Sequence, residues 1–281
     1  MSILPHSLMT GPGSQPEDHD GVLSYMEMPS GMAVFSTPEL PEPEDAAGLE
    51  PGKAALDAVL ALLQSCEPTK AHAAIDITAL DDANRVFVDQ VLGEGEVSAV
   101  AGATHQAQES VLAGVWRIRI TDEAGATRAD LIEVGAFPQT LQQIAFRHAQ
   151  DTVDMPDRFG PNVFNTPALL PEINEQIAKS GSGGMPHVIN LSLLPHTPED
   201  LTALSGLLGQ GALTILSRGY GNCRVTSTGT RNTWWVRYYN SQDTLILNSI
   251  EITDLPEVAC AATEDLSDSA ERLKEILEVY R

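Results

Sequence analysis

Two hydrophobic periods alternate along this chain. In KAALDAVLALLQSC, starting at Lys53, Leu56, Val59, Leu60 and Leu63 recur at helical spacing and predict a helix. AHAAIDITAL predicts a short strand through Ile75 and Ile77. DDANRVFVDQVLGEG predicts a helix capped by Asp81 or Asp82 and stopped at Gly93. VSAVAGA predicts a strand. SVLAGVWRIRITDEAGATRADLIEV predicts two strands joined at Asp122–Gly125, because Trp116, Ile118 and Ile120 alternate with Arg117 and Arg119. Pro138 opens a helix, FPQTLQQIAFRHAQ, at its favoured first-turn position.

Residues 151–167 form a polar, proline-containing connection. Beyond it, LLPEINEQIAK predicts a helix, SGSGG at 180–184 a flexible turn, and HVINLSLL a strand. PEDLTALSGLLG predicts a helix, and ALTILSRG, RNTWWVRYY and TLILNSIEI three strands. The GYGN run at 219–222 predicts a turn and matches no phosphate-binding fingerprint. In the last helix Asp268 and Glu271 have capping-box spacing, and Ala270, Leu273, Ile276, Leu277 and Tyr280 form one apolar face.

The two halves share an element order: helix, strand, helix, three strands, helix. Leu92-Gly93-Glu94-Gly95 matches Leu208-Gly209-Gln210-Gly211 at an offset of 116 residues; Trp116 matches Trp234, and Pro138 matches Pro256, at 118. The expected fold class is therefore α+β, an internal duplication of two similar units packed together, each a mostly antiparallel sheet covered by helices. The expected divisions are an acidic, proline-rich arm at 1–52, a first repeat at 53–150, a linker at 151–167 and a second repeat at 168–281. The shared glycines and tryptophans read as scaffold.

Residues private to the second half read as functional candidates. They concentrate between Ser217 and Asp265, which holds two of the three cysteines, two of the three tryptophans and three of the five tyrosines. Cys223 and Cys260 are compatible with a thiol pair, a transient metal or cluster site, a redox switch, or plain buried packing. Their spacing is no metal signature, and there is no CxxC, HExxH, GxSxG or Walker motif. Cys66, at the end of an apolar helix, reads as core. Tyr220, Asn222, Arg231, Trp235, Arg237, Tyr239, Glu264 and Asp265 are candidates for partner binding, since Trp, Tyr and Arg are enriched in interfaces. Trp235, Tyr238 and Tyr239 fit either an edge-strand binding surface or an inner sheet face.

Composition narrows the classes. Net charge is −23, with 39 acidic against 16 basic residues, which argues against a nucleic-acid or anionic membrane surface and allows a basic partner. Residues 1–52 hold eight of the eighteen prolines, nine acids and no Lys or Arg. No run is long and apolar enough to span a membrane, the start is unlike a secretory signal, and three cysteines fit a reducing compartment. The expected location is the cytoplasm.

The run GNCRVTSTGTRNTWWVRYYNSQDTLILNSIEITDLPEVACAATEDL resembles the C-terminal region of the HupH/HyaF family, which includes HoxQ. GPGSQPED and MPSGMAVFSTPELPEPE are similar to that family's opening segment. The resemblance implies a non-enzymatic chaperone or scaffold in the maturation of an uptake [NiFe] hydrogenase. It implies action on the iron–sulfur small-subunit precursor, with its twin-arginine signal, before export and where oxygen threatens cluster assembly. A thioredoxin-like protein of the HyaE/HupG/HoxO type is an implied co-partner. No tightly bound cofactor is implied, though a transient iron–sulfur cluster is compatible with the family role, and no catalytic residues carry over.

Overall fold

The computed structural model describes residues 40–65, 74–180, 185–219 and 221–281. The expectations for the arm up to residue 39, for Cys66, for Tyr220 and for residues 181–184 lie outside the described residues.

Helix α1 spans Glu50–Ser65 and turns Leu56, Val59, Leu60 and Leu63 inward, as their spacing predicts. Strand β1 is Ile75–Asp76. Helix α2, Asp82–Leu92, starts where the Asp81 carboxylate accepts the Asn84 N–H at 2.8 Å. It ends at Gly93, whose φ of 57° suits a residue without a side chain. Strands β2 (Val97–Ala101), β3 (His105–Glu109), β4 (Val115–Thr121) and β5 (Thr127–Val134) follow, then α3 (Gln139–Ala145). The second half holds α4 (Thr166–Lys179), β6 (His187–Asn190), α5 (Pro198–Leu208), β7 (Leu213–Ser217), β8 (Asn222–Ser227), β9 (Thr233–Tyr239), β10 (Leu245–Ile252) and α6 (Thr263–Val279).

The strands form one ten-stranded antiparallel sheet in the order β1-β5-β4-β3-β2-β7-β8-β9-β10-β6. This corrects the expectation of two units each with a sheet of its own. β2 and β7 pair antiparallel over five residues, from Val97 opposite Ser217 to Ala101 opposite Leu213, so the sheet runs unbroken through the middle. Backbone donors that would form two exposed edges are consumed in that central ladder. Each half also has five strands where the sequence reading has four. The extra ones are β3, whose HQAQE is not among the predicted strands, and β8, which starts within the GYGN turn.

Two smaller departures have local causes. The HVINLSLL strand stops at Asn190, because the Asn190 side chain accepts the Ser192 N–H at 3.0 Å and starts a 3-10 turn at Leu191–Leu193. α6 begins at Thr263 without a side-chain cap, so Asp268 and Glu271 sit inside the helix rather than at its start.

Period-two alternation gives the sheet two different faces. On one face α1, α2 and α6 enclose Leu56, Phe87, Val91, Ile132 and Leu273 at the β5 end. At the β10 end of that face, α4 and α5 enclose Leu170, Ile173, Leu204, Trp235 and Ile250. On the other face α3 and a 3-10 turn at Glu257–Ala259 cover Trp116, Ile118, Ile215, Cys223, Val225 and Trp234. α6 reaches back across the molecule: Ser269 donates to the Ala113 carbonyl at 3.0 Å and Tyr280 to that of Pro41 at 2.9 Å. The 151–167 connection is tied to α5 by Asp200, which has no exposed surface. Its carboxylate accepts the N–H groups of Phe164, Asn165 and Thr166 at 2.9–3.0 Å. Burial alone would raise the Asp200 pKa, but these bonds and those from Thr197 outweigh it and hold it below the ordinary range.

Candidate functional site

The stretch from Ser217 to Asp265 supplies β8, β9 and β10, then the turn into α6. The hairpin register places Cys223 opposite Tyr238, Arg224 opposite Arg237, and Thr226 opposite Trp235. β9 lies between β8 and β10, so its aromatics are not on an edge strand. Trp235 and Tyr239 are buried, which corrects the edge-surface reading in favour of an inner sheet face.

The thiols are free and do not bond to each other. Cys223 faces the Trp116–Trp234 layer and is 1% exposed. Burial pushes its pKa up to about 12, against a hydrogen bond from Tyr238 and with the Glu251 charge adding to the rise. Cys260 is half-buried and donates to the Pro256 carbonyl at 3.6 Å. Burial, then Glu257, pushes its pKa up to about 11. A thiol so placed carries little thiolate at neutral pH, and thiolate is the nucleophile and metal ligand. Of the nearby arginines, Arg224 points to the opposite face from Cys223, and Arg231 ion-pairs with Asp151 at 3.3 Å in the turn before β9. Among the described residues no group of three or more His, Cys, Asp or Glu is arranged to hold a metal ion.

The partner-binding candidates separate into three places. Trp235, Arg237, Tyr239 and Asn222 converge on the hairpin. The Arg237 guanidinium stacks over the Trp235 ring at 4.6 Å, the Trp235 indole N–H donates to Asn248, and the Asn222 amide donates to Asp243 at 3.0 Å. Arg231 is at the far end of β9. Glu264 and Asp265 are exposed on the first turn of α6, where Asp265 and Glu96 face the buried Glu109 of β3. Burial, then those two charges, pushes the Glu109 pKa up to about 7, against the N–H of Gly114 that its carboxylate accepts at 3.1 Å.

Arg224 and Asn248 are the residues the sequence reading passed over as partners of this site. One signal points to Asn248: Arg119 stands opposite Asp130 as Arg237 stands opposite Asn248, both pairs 118 residues apart. An aspartate in the first half is an asparagine in the second.

Comparison with known proteins identifies the class as an accessory protein of hydrogenase biogenesis. The family description "HupH hydrogenase expression protein, C-terminal conserved region" matches in two stretches, residues 51–155 and 163–280. The chain is 49% identical over 273 residues to the hydrogenase expression/formation protein HoxQ of Cupriavidus necator, covering 96% of this chain and 95% of that one. It is 46% identical to HupH of Rhodobacter capsulatus, covering 96% of each, and 32% identical to the hydrogenase-1 operon protein HyaF of Escherichia coli, covering 95% and 94%. A solved HupH chain from Thiobacillus denitrificans, 29% identical, aligns with 40% of this chain and 92% of its own at a TM-score of 0.38.

The chain belongs to the HupH, HoxQ, HupQ and HyaF family of hydrogenase expression/formation (maturation) proteins. Its general role is that of an accessory factor in hydrogenase expression and maturation. No helix among the described residues is long and apolar enough to cross a membrane.

Proposed function

We propose that this chain is a cytoplasmic chaperone for the iron–sulfur small-subunit precursor of an uptake [NiFe] hydrogenase, holding it before export and shielding cluster assembly from oxygen. The observation that carries the reading is 49% identity to a hydrogenase expression/formation protein along nearly the whole of both chains. The buried Cys223 and half-buried Cys260, with pKa values pushed up to about 12 and about 11, support a binding scaffold over a thiol reaction. The charge of −23 suits a precursor with a basic twin-arginine signal. A thioredoxin-like accessory protein is the proposed co-partner.

The scaffold is an internal duplication in this reading. Outward from the central β2–β7 pair, both halves run through their strands in the same order. Gly93 and Gly209 end the equivalent helices at positive φ, and Trp116 and Trp234 each donate at 3.0 Å to a carbonyl nineteen residues on, at Gly135 and Thr253. The two-stretch family match agrees.

The direct test is co-purification under low oxygen of a tagged chain with the co-expressed precursor. The precursor, signal still attached, is expected in the eluate, together with the thioredoxin-like protein when that is present. An eluate without precursor, both proteins being well expressed, would overturn the reading.

A further inference from the structure

The outer side of α2 is not uniformly polar. Phe87, Val88, Val91 and Leu92 turn inward, and Asp82 and Asp89 are exposed, as an amphipathic helix requires. Ala83 and Val86, three positions apart and so on one face, break that pattern; Val86 is 54% exposed. Together with Phe87 and, from the segment leading into α1, Pro41 and Leu49, they line a groove of about 360 Å³. A single exposed valine is ordinary, but an apolar groove shared by two chain segments is a place for another side chain to enter.

The described chain begins at the rim of this groove. Leu40 is 47% exposed, and the next residue, Pro41, already lines it. Pro41 is held there. Its carbonyl accepts the Tyr280 hydroxyl at 2.9 Å, and the Tyr280 ring packs edge-on against Phe87 with 5.3 Å between centroids. Ala46 has no exposed surface, and its N–H and that of Asp45 both bond the Glu42 carbonyl, which pins the rest of the segment. The 39 residues upstream are therefore joined to the fold at a fixed point beside an apolar groove.

Their sequence supplies a matching stretch. Residues 28–38, MPSGMAVFSTP, carry no charge, although the net charge of the chain is −23 and Glu27 and Glu39 stand at either end. Met32, Val34 and Phe35 are large and apolar. Phe35 is five residues before Leu40, within about 17 Å of it along an extended chain, and the α2 face from Ala83 to Gln90 is about 10 Å long. Charge and tethering decide the occupant. Asp45 and Asp82 at the groove repel an acidic segment and leave a neutral one unaffected. A stretch joined to the rim by a few residues has an effective concentration on the order of millimolar, which favours it over a segment arriving from solution.

We propose that residues 28–38 dock in the groove between α2 and the segment before α1, with Phe35 against Val86 and Leu49, as a strap within the chain. Docked there, the strap covers the exposed apolar face of α2 and ties the start of the chain to α2 and, through Pro41 and Tyr280, to α6. The contact is internal to the chain and stands apart from the precursor-binding reading above.

Hydrogen exchange of the full chain, read by mass spectrometry, tests the strap. Amides between Ser30 and Thr37 are expected to exchange at least tenfold faster in the Ala83→Gln, Val86→Gln double variant than in wild type, and likewise in Phe35→Ser. Both α2 positions are exposed and glutamine is a good helix former, so native circular dichroism is expected in the double variant. Val188→Gln, at an exposed position of β6 on the far edge of the sheet, is expected to leave those amides unchanged. Unchanged exchange in both the double variant and Phe35→Ser would overturn the proposal. So would protection that appears only at concentrations where light scattering finds dimers, or only with a co-purified protein present, since these outcomes assign the groove to a second copy or to a partner.

Discussion

Arg117 and Arg237 lie on the same sheet face, four strands of which separate β4 from β9, yet they meet opposite surroundings. Arg117 is held between Asp130 and Asp89, so its charge is spent inside the protein. Arg237 stacks on an indole, stands beside a second guanidinium and faces an asparagine. The first arrangement fixes α2 to the sheet. The second has a hydrogen bond with Tyr239 and, among the described residues, no carboxylate within ion-pair distance. The contrast is between a guanidinium neutralised by ion pairs and one held by a ring stack and a neutral hydrogen bond.

Breaking the framework itself should have the largest effect. Trp116 and Trp234 have no exposed surface and hydrogen-bond their indoles alike. Replacing either by alanine is expected to cost about 4 kcal/mol. Urea denaturation should show similar losses for both and a single transition, because β2 and β7 join the halves in one sheet. Two separate transitions would mean that the halves unfold independently.

The contrast between the arginines comes next. Arg117→Ala leaves two carboxylates, one of them buried, without their partner, and is expected to cost about 3 kcal/mol. Arg237→Ala removes a stack and relieves a repulsion, and is expected to cost less than about 1 kcal/mol. Equal losses in the same denaturation series would erase the distinction between an ion-paired and a stacked arginine.

Glu109 sharpens the picture of how the last helix docks. Its pKa is pushed up from 4.5 to about 7. Between those values the folded chain holds a proton that the unfolded chain has released, so this group's contribution to stability falls as pH rises through the window. Glu109→Gln should be neutral near pH 4 and stabilising by about 3 kcal/mol at pH 8. A difference between variant and wild type that does not change with pH would contradict the assignment.

Much of this was legible in the chain. Leu56, Val59, Leu60 and Leu63 reveal α1 because a helix covering a sheet must be apolar on one stripe. Trp116 and Trp234 reveal the core layer through strict alternation. β3 was hidden, because HQAQE sits in the middle of the sheet with Gln106 and Gln108 on the face whose helices pack over the outer strands; polar residues are stable there and read as loop. β8 carries a period-two signal, Cys223, Val225 and Ser227 all buried on one side, obscured by its start in a glycine turn. The pairing of β2 with β7 joins residues more than a hundred positions apart, which no local pattern encodes. The candidate site was half legible. Trp235 and Arg237 stand out by residue type, whereas Arg224 and Asn248 matter only through the strand register.

The central claim is that this accessory factor works by holding its partner, with its cysteines as packing. The most direct measurement is hydrogenase activity and small-subunit maturation in cells grown in air with the Cys223→Ser and Cys260→Ser double variant as the only copy. Activity close to wild type is the expected result. Loss of maturation while the variant still folds and still co-purifies with the precursor would contradict the claim and place the chemistry on the thiols.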